Sequence, residues 1–98
     1  MAGRLLNNLG FHLFMIADYG GARPYFEQAL AIRQKALGPD HPDTAQSLNN
    51  LGALLQAMGD YEAARPYYEQ ALAAFEKTLG PDHPHTKIAR DNLESLGG

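Results

Sequence analysis

The sequence predicts an all-α chain of five helices. Three observations lead there. The 98 residues repeat with a spacing of 42, apolar residues inside each repeat recur every three or four positions, and Gly and Pro punctuate the chain between those stretches. Leu6-Asn7-Asn8-Leu9-Gly10 returns as Leu48-Asn49-Asn50-Leu51-Gly52, and Leu37-Gly38-Pro39-Asp40-His41-Pro42 returns as Leu79-Gly80-Pro81-Asp82-His83-Pro84. Thr86, Asn92 and Leu93 carry the pattern of Thr44, Asn50 and Leu51 into a third, incomplete unit. The chain therefore divides into unit one at about 3–41, unit two at about 42–83 and a C-terminal capping helix at about 84–96, all within one domain, 1–98.

The first helix, about 3–17, carries Leu5, Leu6, Leu9 and Leu13 and is apolar on several sides. The second, about 19–37, begins with Gly20-Gly21, where unit two has Glu62-Ala63, and so is expected to be looser at its start. In the third, about 42–58, Leu48, Leu51, Leu54, Leu55 and Met58 make one apolar stripe. Gly59-Asp60 then supplies a helix stop and the next N-cap. The fourth, about 60–79, places Tyr61, Ala64, Tyr68, Ala71, Leu72, Phe75 and Leu79 on one face. Pro66, like Pro24 before it, falls inside a helix and is expected to bend it without ending it. The fifth, about 84–96, turns Ile88, Ala89, Leu93 and Leu96 toward the preceding unit, and Lys87, Arg90, Asp91 and Glu94 toward water. Pro42 and Pro84 suit the first turns of the helices they open.

Composition narrows the function. A hydrophobic fraction of 45% with 19% charged residues is a globular balance. Eleven acids against eight bases give a net charge of −3, which argues against nucleic acid as a partner. The chain has no cysteine, which excludes disulfides and thiolate chemistry. No apolar run approaches the roughly 18 residues of a membrane helix, and Met-Ala-Gly-Arg lacks the layout of a signal peptide. The expectation is a soluble, cytoplasmic chain without a membrane partner.

In the complete second unit, Leu51-Gly52, Gly59, Tyr61, Ala64, Tyr68 and Ala71 resemble the packing positions of the tetratricopeptide repeat in order, and unit one repeats several of them, with Ala17 in place of Gly59. Leu48 stands where that repeat often has Trp, and Leu55 where it often has Tyr. The Leu-Gly-Pro-Asp-His-Pro segment is similar to the long, 42-residue form familiar from kinesin light chains and from bacterial arrays attached to signalling ATPases. The resemblance implies a right-handed solenoid of antiparallel helix pairs. In it, Gly52, Ala64 and Ala71 let backbones approach, and first helices line a concave groove that binds proteins or peptides.

Carried onto this chain, the groove positions are Arg4, Asn7, Asn8, Phe11, Phe14 and Met15 in unit one, and Gln46, Asn49, Asn50, Ala53, Gln56 and Ala57 in unit two. Ile88, Asp91, Asn92 and Ser95 continue them. Asn8, Asn50 and Asn92 recur at one position, and their amides can pair with an extended peptide backbone or bond neighbouring helices and water. The family's cationic grip on a C-terminal carboxylate is missing, since apart from Arg4 no Lys or Arg stands where it is required. Phe11, Phe14 and Met15 replace the small or polar residues of unit two. An apolar anchor pocket for a partner, a self-association surface and a local repacking all fit that change. The two functions that follow are a protein- or peptide-binding scaffold, and a self-association element in which a homodimer forms through the first helix. The barely two complete units, apolar at the first helix and capped at the last, read as the C-terminal piece of a longer array.

No metal or other cofactor is expected. His41 and His83 are repeat equivalents, so stacking separates them by on the order of 10 Å, too far for one metal ion. With His85 they are expected as caps and loop residues, and His12 as a partly exposed helix residue. No phosphate loop, nucleophile elbow or HExxH occurs, and Asp40-His41 and Asp82-His83 sit in turns without a nucleophile. An enzyme is not expected.

Overall fold

The repeated turn fixes where helices stop. In the computed structural model, which describes residues 2–97, the helices are α1 (Ala2–Met15), α2 (Tyr19–Leu37), α3 (Pro42–Ala57), α4 (Tyr61–Leu79) and α5 (Pro84–Ser95). Met1 and Gly98, the ends of the expected 1–98 domain, lie outside the described residues. α2 and α4 end at Gly38 and Gly80, whose φ values of +92° and +88° exclude most side chains. The hydroxyls of Thr44 and Thr86, from the helices that follow, donate to the carbonyls of Gly38 and Gly80 at 2.8 Å in both units. α3 and α5 thus close the ends of α2 and α4.

α1 ends two residues earlier than its periodicity suggests, and the cause is a capping turn. Asp18 N–H bonds Leu13 C=O at 2.8 Å and Ala17 N–H bonds Phe14 C=O at 3.0 Å. In unit two, Asp60 N–H bonds Leu55 C=O at 2.9 Å and Gly59 N–H bonds Gln56 C=O at 3.0 Å, the same paired closure of a helix end. The Asp18 and Asp60 carboxylates then accept from Gly21 and Ala63 N–H as N-caps. Pro24 and Pro66 lie inside α2 and α4 and end neither.

Consecutive helices pack on one another, α1 on α2 through to α4 on α5. A Cβ built at Gly10 would lie 2.7 Å from the Phe26 ring, and one at Gly52 2.6 Å from the Tyr68 ring. Only glycine admits these aromatic rings against α1 and α3. Between α2 and α3, Phe26 and Ala22 bury with Leu51 and Leu54. Between α4 and α5, Phe75 and Ala74 bury with Ala89, while Tyr68 and Ala64 pack toward Leu93 and Leu96. The core therefore continues from unit to unit, an all-α helical repeat with no strand among the described residues.

Candidate partner-binding face

The first helices α1, α3 and α5 lie side by side and are tied through amides. Asn50 Nδ2 donates to Asn7 Oδ1 at 2.8 Å, and Asn92 Nδ2 donates to Asn49 Oδ1 at 3.1 Å. Both bonds span 43 residues, one more than the repeat, so each asparagine meets the residue before its equivalent. Asn7 is only 7% exposed, and Asn49, Asn50 and Asn92 are half-buried. Asn8 is exposed and has no side-chain partner among the described residues. Of the repeated amides, Asn8 is thus the open one, while Asn50 and Asn92 spend part of their capacity between helices.

Gln56 is similarly engaged. Its Oε1 accepts from the Tyr68 hydroxyl at 2.8 Å, and its Nε2 donates to Ser95 Oγ at 3.0 Å, linking α3 to α4 and α5. Tyr68 is buried, and that burial pushes its hydroxyl up to about 12. Unit one replaces both partners with Phe. Phe14 and Phe26 stand at the places of Gln56 and Tyr68, with ring centroids 6.5 Å apart. Phe14 also packs at a tilt, 5.5 Å between ring centroids, against Tyr19 and is half-buried. It fills the space that a hydrogen-bonded pair occupies in unit two.

Phe11 and Met15 differ from Phe14. They are 48% and 66% exposed. Asn8, Phe11 and Met15 follow the i, i+3, i+7 spacing of one helix stripe, so polar and apolar groups stand together in water. On the other first helices, Gln46 and Ile88 are exposed and Asn50 is half-buried. Ile88, read from the sequence as packing on the preceding unit, faces solvent, while Ala89, Leu93 and Leu96 of the same helix pack inward.

Two of the four histidines cap helices, while His12 and His85 lie exposed within α1 and α5. His41 Nδ1 accepts from Asp43 N–H at 3.0 Å, and His83 Nδ1 accepts from His85 N–H at 3.1 Å. Among the described residues, no group of three or more His, Asp or Glu converges as metal ligands. No helix among them is long and apolar enough to cross a membrane. At the N-terminal end of the first-helix face, a cleft of about 600 Å³ opens between α1, α2 and α3, lined by Gly3, Arg4, Asn7, Asn8, Arg33 and Gln46 among others. Arg33 belongs to a second helix and is not among the residues singled out from the sequence. Its signal there is the repeat alignment, in which Phe75 is the equivalent residue.

The family model for the tetratricopeptide repeat matches residues 2–77 and residues 44–96. No match is found among curated proteins. Tetratricopeptide repeats mediate protein–protein interaction and are typically non-catalytic scaffold modules. With five helices packed in chain order and matches that together run from residue 2 to residue 96, the chain belongs to the tetratricopeptide repeat family.

Proposed function

We propose that the chain is a cytoplasmic scaffold module that binds a protein or peptide along the groove formed by α1, α3 and α5. The observation that carries this reading is the exposed stripe of Asn8, Phe11 and Met15. Fully burying a Phe or Met side chain contributes about 1.5–3 kcal/mol each, so the stripe offers two apolar anchors beside an open amide. Asn7, Asn49, Asn50, Gln56 and Asn92 hold the first helices at fixed spacing, and the remaining lone pairs and N–H groups of the half-buried ones can serve a partner. Phe14 supports the anchors from beneath, 6.4 Å from the Phe11 ring. Gln46 extends the polar edge. A display selection of random peptides tests the reading. Peptides enriched on the wild type should be lost with Phe11→Gln and Met15→Gln and retained with Gln28→Ala and Glu69→Ala on the second helices. Loss with the second-helix changes alone would overturn it.

A second reading is self-association, and a different surface supports it. Leu9 of α1 is 42% exposed, while its equivalent Leu51 is 1% exposed beneath α2. Leu5 and Ile16 extend that uncovered face along α1. A second copy of the chain would cover it through paired first helices, giving a homodimer. Sedimentation at micromolar concentration separates the readings. A dimer that Leu9→Gln with Ile16→Gln converts to a monomer supports this second reading, and a monomeric wild type ends it.

A further inference from the structure

The two units differ sharply where three helices meet. In unit two, Phe75 of α4 is buried with Ala45 of α3 and Ala89 of α5. The equivalent residues in unit one are Arg33, Gly3 and Ser47. Arg33 is 8% exposed. Its Nη1 donates to Ser47 Oγ at 3.0 Å and to the Asp43 carbonyl at 3.1 Å, both neutral acceptors. Among the described residues no carboxylate pairs with this guanidinium, and its Nε and Nη2 have no hydrogen-bond partner. A buried cation is costly unless it is paired. No side-chain nitrogen sealed from solvent is left unpartnered among the described residues, so Nε and Nη2 keep contact with solvent, and Arg33 lines the cleft.

The room there follows from Gly3. A Cβ at that position would stand 3.3 Å from Arg33 Cγ and 3.6 Å from its Nε, in the space left open beside the guanidinium. The open edge presents two parallel N–H donors, the pattern that matches the two oxygens of a carboxylate. Exposed Arg4 adds positive charge to the same cleft. Asp43 also lines it, and a dianionic phosphate would meet more repulsion from that residue than a carboxylate would.

We propose that this cleft receives a carboxylate of a bound protein or peptide on the Nε–Nη2 edge of Arg33. The proposal rests on the first-helix face being the partner surface, because Asn7, Asn8 and Gln46 of that face line the same cleft. It adds a charged end to a site whose other end is the apolar pair Phe11 and Met15.

The test uses the full chain and short glycine-serine peptides. One carries a single internal Glu between blocked ends, one ends in a free carboxylate, and the controls carry Gln or a C-terminal amide. Inorganic phosphate is a further probe. Binding is followed in every variant by the backbone amide resonances of Asn7, Asn8 and Gln46, which line the cleft, and in the wild type also by the Arg33 Nε–H resonance. One or both carboxylate peptides should bind about tenfold tighter than their controls, and the one that does identifies the carboxylate's source. Arg33→Lys, which keeps the charge and loses the fork, should remove most of that preference. Arg33→Phe with Ser47→Ala reproduces the buried Phe75 and Ala89 pair, so it should stay folded and lose the preference entirely. Equal binding of carboxylate and control peptides, a preference for phosphate, or a preference that survives the double variant would overturn the proposal. Peptides from the display selection that bind without any carboxylate would refute it while leaving the groove reading intact. A carboxylate probe that shifts Arg33 when no selected peptide binds would support the site and refute the groove reading.

Discussion

Ala17 holds φ at +63°, the left-handed region, at the place where unit two has Gly59 at +86°. Both residues close the same helix-ending turn, so one backbone geometry is made with alanine in unit one and glycine in unit two. An L-residue in this region costs about 1–2 kcal/mol. Glycine avoids that cost but gives the unfolded chain about 0.4–1 kcal/mol more conformational freedom to lose. Ala17 is exposed, so its methyl group adds no packing to be lost. Ala17→Gly should therefore stabilise the chain by about 0.5–1 kcal/mol. Nothing lies within 4 Å of a Cβ built at Gly59, so Gly59→Ala should cost a similar amount through the backbone alone. At this size about 1 kcal/mol moves Tm by roughly 4–8 °C. Thermal and urea unfolding followed by far-ultraviolet circular dichroism reads both changes. A neutral or destabilising Ala17→Gly would refute the assignment of strain to that turn.

Gly52→Ala should destabilise by about 1–3 kcal/mol through overpacking, since its Cβ would lie 2.6 Å from the Tyr68 ring. Alanine's helix propensity, worth about 1 kcal/mol, offsets only part of this, and a stabilised variant in urea unfolding would contradict the close approach. Tyr68, pushed up to about 12 from 10.0, keeps its proton in the folded chain where the unfolded chain loses it. Its contribution is whole below pH 10 and falls as pH rises from 10 to 12, by up to roughly 2–3 kcal/mol. The stability difference between wild type and Tyr68→Phe should shrink or reverse over that range, and a constant difference would contradict the burial. Deleting residues 85–98 removes Ala89, Leu93 and Leu96 from Phe75 and Tyr68. Unfolding or aggregation should follow, and an equally stable, soluble truncation would count against a capping role for α5.

Helix positions were legible because the apolar period and the repeated Leu-Gly-Pro-Asp-His-Pro turn state the same boundaries twice. The end of α1 was less so, because nothing in an isolated alanine signals a left-handed residue and only comparison with Gly59 reveals it. The asparagine pairs depend on how neighbouring first helices are staggered. A 42-residue period aligns Asn50 with Asn8, while the bond goes to Asn7. Phe14 looked like Phe11 and Met15 in the sequence because their exposure is decided by rings on α2, Phe26 and Tyr19. Arg33 stands opposite Phe75 in plain view of the alignment. What it does there depends on Gly3, Ser47 and Asp43, which two other helices bring to it.

Chemical-shift mapping with a display-selected peptide tests the proposed role most directly. Perturbed resonances should fall on the first helices, at Asn8, Phe11, Met15, Asn50 and Asn92, and leave Gln28, Glu69 and Ala73 of α2 and α4 unmoved. Perturbations confined to α2 and α4 would contradict a partner-binding face built from α1, α3 and α5.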